Sequence, residues 1–344
     1  MNPPSTEHGS AHAVPVVIGL SAVVVAMRGG ELQVLTVRPE DVRTHRASDL
    51  RGLPFGPFDP AGHRTFELAL RAFVTAQTGF RLGYVEQLYT FGDLGRDAPL
   101  ADLGAVEAAA ADARMISIGY LALTPQAEDG TEAAAAWRPW TRYFPWEDWR
   151  RGRPRVVESE IAPALRAWAE GNVDRLARAR GLFALNGAGP WNEERVLERY
   201  ELLYEAGLAA EAARDRGRAL GVDLPEPSRF EDVFGRPMVS DHRRILATAL
   251  GRLRGKLKYR PVVFELMPEA FTLLDLQQAV EAVSGVRLHK QNFRRMIERT
   301  GLVEGLGRQR TETGGRPAEL FRYRREELAS RPALGLSLPL AGEA

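Results

Sequence analysis

The sequence predicts an α+β chain in two parts, with strands and a helix in its first half and a helix-turn-helix followed by a basic hairpin near its end. Three observations carry this expectation. A length of 344 residues suits two domains better than one, and an apolar content of 44% is ample for packed cores. Apolar, β-branched runs near the N-terminus give way to helical spacing after residue 156. Finally, a net charge of only +1 conceals a basic C-terminal third.

Taken in order, residues 1–13 read as a disordered tail. Val16–Ala26 and Leu32–Val37 are separated by Arg-Gly-Gly-Glu, the composition of a hairpin. A loop, Pro39–Pro60, carries Gly52, Pro54, Gly56 and Pro57. Arg64–Thr78 then places Phe66, Leu70, Phe73 and Gln77 on one helical face, closed by Gly79. Further strands are expected at Glu86–Phe91 and Met115–Leu123, with the Ala- and acid-rich Ala101–Ala113 between them as an exposed helix or loop. Val156–Arg218 is acidic and mostly helical, broken at Gly187–Pro190. Within Trp191–Gly207, Val196, Leu197, Tyr200, Leu203 and Tyr204 keep helical register. Asp223–Pro237, with three prolines, reads as a linker. His242–Lys258 is a basic amphipathic helix with Ile245, Leu246, Ala249, Leu250, Leu253 and Leu257 on its apolar side.

The last segment is the most informative. Thr272 with Asp275 three residues on is a capping-box signature, opening a helix that lines up Leu273, Leu276, Val280 and Val283. After the turn at Ser284-Gly285, His289–Thr300 is a second helix with Phe293, Met296 and Ile297 inward and Gly301 as its cap. Its other face carries Lys290, Gln291, Asn292, Arg294 and Arg295, with Arg287 just before it. Such a helix fits the major groove, where Arg pairs with guanine, Asn or Gln with adenine, and neighbouring cations hold phosphates. Leu302–Arg310 and Ala318–Arg324, joined across Gly314-Gly315, form a hairpin whose Arg308, Arg310 and Arg316 are expected against the backbone or in the minor groove. Helix, turn, helix, basic hairpin is the winged-helix order. A winged helix used for protein contacts, its arginines merely exposed, is the alternative.

Charge supports nucleic acid. Arg243–Arg260 holds seven basic residues and no acidic one, and Arg287–Arg325 holds eleven basic and four acidic, a net +7. An ordinary solvated face is the competing explanation. The basic helix at 242–258 is expected either to touch DNA phosphates or to belong to the first domain. The absence of cysteine excludes disulfides, thiolate catalysis and Cys-ligated zinc and fits a reducing, cytoplasmic setting. The start lacks the pattern of a signal peptide, and Val14–Met27 is too short to span a bilayer. Trp137, Trp140, Trp146 and Trp149 are expected to pack the end of a domain rather than stack on a base.

The stretch FTLLDLQQAVEAVSGVRLHKQNFRRMIERTGLVE, followed by GGRPAELFRY, resembles the winged-helix signature of the Nudix-related transcriptional regulators. LGRLRGKLKYRPVVFELMPEAF is similar to the segment joining their two domains, and EQLYTFGD and YLALTP resemble their sensor domain. The resemblance covers roughly residues 15–150 and 238–325 and points to the branch that represses NAD biosynthesis. It implies a Nudix-like α/β/α sandwich at 14–155, a helical acidic insertion or linker at 156–235, and a basic helix at 236–260 completing the sensor. The winged helix would occupy 261–328, and 329–344 would be a tail.

Working Nudix hydrolases need a cluster of glutamates to hold Mg²⁺ against a diphosphate. Counting back from Gly79, the family's glutamate positions fall on Phe73, Ala76 and Gln77; anchoring on Arg71 puts Ala72, Thr75 and Ala76 there. Arg64–Thr78 holds one carboxylate, Glu67, so neither a metal site nor catalytic residues are expected. The resemblance implies an adenine-nucleotide or ADP-ribose-like effector, no required cofactor, a homodimer on a pseudo-palindromic operator in double-stranded DNA, and no membrane partner. Candidate effector residues are Arg38, Arg46, Arg51 and Phe55 from the entry strand and loop, with Glu86, Gln87 and Tyr89 from a later strand. Arginine suits a diphosphate because its charge is permanent and its fork bidentate; an ordinary surface arginine is the alternative at each position. Two rival functions are a hydrolase of ADP-ribose-like substrates using Glu67, Asp59 and Glu86 as unusual ligands, and a nucleotide-sensing adaptor that binds protein. His45 and His63 lack a metal-ligand partner at helical spacing.

Overall fold

The computed structural model describes residues 15–38, 50–96, 113–125, 135–222, 233–310 and 317–326. The two tails, Arg46, Arg316, nearly all of the expected segment Ala101–Ala113 and most of the expected linker Asp223–Pro237 lie outside the described residues.

In chain order the first half contains β1 (Val16–Arg28), β2 (Glu31–Val37), β3 (Phe55–Pro57), α1 (Phe66–Thr78), β4 (Tyr84–Phe91), β5 (Arg114–Thr124) and β6 (Ala135–Pro139). They build a mixed sheet of order β4-β5-β1-β2-β6, with β3 paired to β1. β1 lies parallel to β5 and antiparallel to β2. Gly19–Ala26 are all buried, and the reason is position: a central strand covered on both faces reads as a continuous apolar run rather than an alternation. One face is covered by α1, whose Ala69, Leu70 and Val74 join Leu20, Ala22, Val24, Leu35 and Ala122. Thr65 caps this helix by accepting from Leu68 N at 3.2 Å, and Gly79 ends it with φ 75°.

Helices α2 (Ala162–Trp168, entered through a π-helical turn at Val157–Ile161), α3 (Val173–Phe183), α4 (Val196–Glu205) and α5 (Ala210–Leu220) follow, then the long α6 (His242–Leu257). α6 covers the second face of the sheet, where Ile245, Leu246, Leu250 and Leu253 join Val23, Val25, Leu121 and Leu123. The first half is therefore an α/β/α sandwich. α4 packs on α6 from outside, so α6 is buried nearly all round.

That burial corrects one reading of the charge pattern. Five of the seven basic residues of 243–260 are turned inward and paired, and only Arg252 and Arg260 are exposed, so the run does not form a solvated DNA-binding face. Arg243 is fully buried and pairs with Glu211 at 3.1 Å. Arg244 pairs with Glu201 at 2.8 Å, and Arg254 with Glu147 at 2.6 Å. Lys256 pairs with Glu86, and Lys258 with Glu193 and Glu194 at 2.9 and 2.5 Å. The acidic helical stretch supplies four of these partners, so the segregation of charge along the sequence is largely an internal complementarity between α6 and what packs on it. Desolvated cations need such partners, because an unpaired buried charge is prohibitively costly.

The C-terminal part holds α7 (Leu273–Ser284), α8 (Lys290–Thr300), β7 (Val303–Arg310) and β8 (Ala318–Tyr323). The capping box expected at Thr272 is formed in both directions: Thr272 N donates to Asp275 Oδ2 at 2.8 Å, and Asp275 N donates to Thr272 Oγ1 at 3.1 Å. Phe271 exchanges backbone bonds with Phe321 at 3.0 and 2.8 Å and so extends the hairpin sheet by one residue. Leu276, Val280, Val283, Phe293, Ile297 and Leu302 fill the core of this unit. It is docked, not tethered: α7 contacts β2 and α6, and the buried apolar residues run without interruption from the sheet into the C-terminal helices. Among the described residues, no helix is long and apolar enough to cross a membrane.

Candidate nucleic-acid interface

α8 is the most sharply two-sided helix of the chain. Phe293 and Ile297 are buried, while Lys290, Gln291, Asn292, Arg294 and Arg295 are exposed together with the preceding Arg287. None of the four cations in this set, Arg287, Lys290, Arg294 and Arg295, has an ion-pair partner among the described residues. No side chain caps the N-terminus of α8, so its first amide hydrogens and the positive end of its dipole are open to an incoming anion. This is the surface a recognition helix presents to bases and phosphates.

The hairpin behaves differently. Arg308 is exposed, as expected of a wing, but Arg310 is half-buried and bonds Asp275 Oδ2 at 2.9 Å. Arg310 therefore ties the wing to the capping box of α7 instead of projecting outward. The spacing along a strand cannot reveal this, because the partner lies 35 residues upstream.

Against the α7–α8 turn lies an arrangement that no motif announces. Glu147, Arg199 and Arg254 are all fully buried. Arg199 Nε and Nη2 reach Glu147 at 2.5 and 2.8 Å, and Arg254 Nη1 reaches it at 2.6 Å. Burial works to raise the Glu147 pKa, but the two guanidinium groups outweigh it and hold the carboxyl below its ordinary value. Backbone oxygens take the remaining donors: Asn192 O accepts from Arg199, while Val283 O and Glu193 O accept from Arg254. Val283 belongs to α7, and Trp149 N donates to Gly285 O at 2.6 Å. The segment around Glu147, the acidic helices, α6 and the α7–α8 turn thus meet at one carboxylate. An acid enclosed by tryptophans in WRPWTRYFPWEDW was the available signal. Trp140 and Trp146 are fully buried, so that cluster packs a junction, as expected.

On the sheet's other face, α1 occupies the place that the resemblance assigns to a catalytic helix. Its single carboxylate, Glu67, is spent on Arg71 at 2.8 Å. Gln77 exchanges bonds with the backbone of Phe55, accepting from its N at 3.1 Å and donating to its O at 2.6 Å. Phe73 lies against Gly56, where an added Cβ would come within 2.5 Å of its ring, and meets His63 edge-on at 5.3 Å. Positions that would carry metal ligands thus carry packing. These residues do not fit a Mg²⁺ site, and among the described residues no group of three or more His, Asp or Glu side chains is placed to hold a metal.

The candidate effector residues separate. Phe55 is buried, its ring 5.7 Å from that of His242. Arg51 is also buried and bridges to Met238 through its backbone. Glu86 faces α6, where Lys256 and Tyr84 both donate to it; burial opposes but does not cancel their lowering of its pKa. Glu86 is thus engaged as a counter-ion of Lys256. Gln87 and Tyr89 are exposed, and Gln87 sits within reach of Tyr120 Oη at 3.5 Å on the α1 side. Arg38 is exposed at the end of β2.

The model of the NrtR DNA-binding winged helix domain matches residues 263–323. Over these residues the chain is similar to that domain. A curated relative, the ADPR responsive transcriptional repressor NtrR of Acinetobacter baylyi, is 37% identical over 94 residues, 27% of this chain. The match spans 37% of that relative's length. Among solved structures, Shewanella oneidensis NrtR superposes with a TM-score of 0.50 at 20% identity, covering 89% of this chain and 94% of that one. A MutT/nudix family protein from Enterococcus faecalis gives 0.50 at 14% identity, with 94% and 90% covered. The fold is accordingly that of a Nudix-like domain joined to a winged helix.

Proposed function

We propose that this chain is a cytoplasmic, homodimeric transcriptional repressor of NAD-metabolism genes, with its NrtR-type winged helix reading DNA and its Nudix-like domain sensing an ADP-ribose-like nucleotide without hydrolysing it. In this reading residues 14–155 and 236–260 form the sensor and 261–328 the reader. The observation that carries the proposal is the exposed face of α8, where Arg287, Lys290, Arg294 and Arg295 stand without counter-ions beside Gln291 and Asn292. Acidic side chains there would repel phosphates, and a protein-binding face has no need of so many unpaired cations. The repressor named as ADPR responsive, matched over 94 residues, supports both DNA and the effector class. Two recognition helices are needed because one winged helix reads too few bases for genomic selectivity. Exposed Arg38, Gln87 and Tyr89 are assigned to effector binding, whereas Glu86 is committed to Lys256.

The test is fluorescence anisotropy of the full chain on a duplex recovered by the protein from a randomised pool, with and without ADP-ribose, NAD and ATP. Tight, salt-sensitive binding that ADP-ribose shifts is expected, and the double variant Arg294→Ala, Arg295→Ala should abolish it. Failure to prefer any duplex over random DNA at moderate salt would sink the proposal. With Mg²⁺ and ADP-ribose, no turnover is expected, since Glu67 is the one carboxylate on α1.

A further inference from the structure

A groove of about 1320 Å³ opens beside the N-terminus of α8. One wall is the winged helix, from Leu274 and Gln277 of α7 to Arg287, His289 and Lys290. The other is made by Trp149–Arg153 and the 184–191 loop of the acidic helical stretch. Trp149–Gly152 is a β-turn, Gly152 N donating to Trp149 O at 3.0 Å, and Arg151 sits exposed on it. Arg150 and Arg153 are held internally: Arg150 by Asp148 and Glu31, Arg153 by Glu158 and by the carbonyls of Phe183 and Ala184. Arg151 has no such partner among the described residues. Nor do Arg287 and Lys290 across the groove. The lining carboxylate Glu281 is already engaged by Gln277 Nε2 and Leu288 N, both at 2.9 Å. The groove therefore has a positive lining and the open amide end of a helix.

We propose that this groove takes the sugar-phosphate backbone of the bound DNA, and that Arg151, outside the winged helix, is a phosphate-binding residue facing Arg287 and Lys290. The inference rests on the DNA-binding reading and adds a second contact element to it. Size favours a polymer: a small-molecule pocket holds roughly 300–1,000 Å³, and this groove is larger and open to solvent. Placement favours it too. A strand flanking the major groove occupied by α8 passes its N-terminal end, where backbone amides and the helix dipole attract phosphate. Rigidity makes the contact specific in position, because Trp149 N is bonded to Gly285 O and Arg254 to Val283 O. The turn bearing Arg151 is thereby fixed relative to α8, and phosphate contacts of this kind set register without reading sequence.

The experiment is an anisotropy titration of the full chain on its selected duplex and on a random duplex across a range of salt. Arg151→Ala should flatten the plot of log affinity against log salt by about one unit of slope, equally on both duplexes. Arg151→Lys should restore the slope, since the charge is what binds. Arg294→Ala, by contrast, should change the ratio between the two duplexes. If wild-type protein selects its duplex but Arg151→Ala leaves the slope intact, or Arg151→Lys fails to restore a lost slope, this inference falls while the repressor reading stands. If wild-type protein selects no duplex, the repressor reading itself falls and takes the groove assignment with it.

Discussion

Glu147 shows how much a single side chain can be asked to hold. It is the shared carboxylate of two fully buried arginines, so removing its charge strands both of them. Glu147→Gln keeps the shape and should cost about 3–5 kcal/mol, read as a lowered urea midpoint at unchanged slope. A loss under about 1 kcal/mol would mean that the surrounding carbonyls alone solvate the guanidinium groups. His242 gives a prediction of opposite chemistry. It is buried, its Nδ1 accepts from Leu53 N at 3.0 Å, and burial, aided by the charge of Arg214, pushes its pKa down to about 3. An unfolded imidazole takes its proton near 6.5, so the unfolded chain binds more protons below that value. The residue's contribution is complete above about pH 6.5 and drains away as pH falls toward about 3. Wild-type stability should drop by about 1.4 kcal/mol per pH unit more steeply than that of His242→Asn between pH 6 and 4. Parallel curves for the two proteins would refute the neutral, buried imidazole. Neither residue was legible in the sequence as anything but an ordinary acid and a lone histidine, because burial arises from pairings 52 and 189 residues apart.

Elements were far more legible than their partners. Helical spacing and caps placed α1, α7 and α8 to within a residue or two, since Thr272 with Asp275 and the closing Gly79 and Gly301 are local chemistry. β3 and β6 were missed: β3 has three residues, and β6 lies in a tryptophan-rich segment whose pattern is set by junction packing. α6 was recognised as a helix, but its charge was misleading, because sequence counts charges and only the fold pairs them. The two helices of the C-terminal unit, both capped in the left-handed region, offer a paired test. Gly285 and Gly301 have φ 75° and 65°. A Cβ on Gly301 meets nothing within 4 Å, whereas one on Gly285 would lie 2.5 Å from Glu147 O. Gly301→Ala should cost only the backbone term, about 1–2 kcal/mol. Gly285→Ala should add a further 1–3 kcal/mol by pushing the α7–α8 turn away from the segment beneath it. Thermal unfolding of both variants checks this, and equal losses would contradict the docking described for that turn.

Across the whole molecule, the uninterrupted core from sheet to winged helix argues for one cooperative unit. All six tryptophans lie between residues 137 and 191, so intrinsic fluorescence reports the body, while far-ultraviolet circular dichroism reports every helix, α7 and α8 included. The two probes should give coincident urea transitions. A separate, earlier loss of helix would mean that the winged helix lets go before the body melts. The two-part architecture itself is visible in the sequence, because strand composition, helical spacing and caps all point one way. What the sequence hid was the contact between the parts, which rests on Glu147, Arg254 and Gly285, residues with no motif between them.

Trp149 and Trp191 stack with ring centroids 4.4 Å apart and an interplanar angle of 27°. Arg199 lies over Trp191 at 3.7 Å and Arg153 over Trp149 at 5.4 Å. Two indoles this close share their electronic excitations, through a coupling that falls as the cube of their separation and shows as paired bands in circular dichroism. One chromophore sits on the turn bonded to the winged helix and the other on the 184–191 loop, both on the same wall of the groove. The protein therefore carries its own optical gauge of how that wall is held together, which needs no label and can be followed while duplex or nucleotide is added.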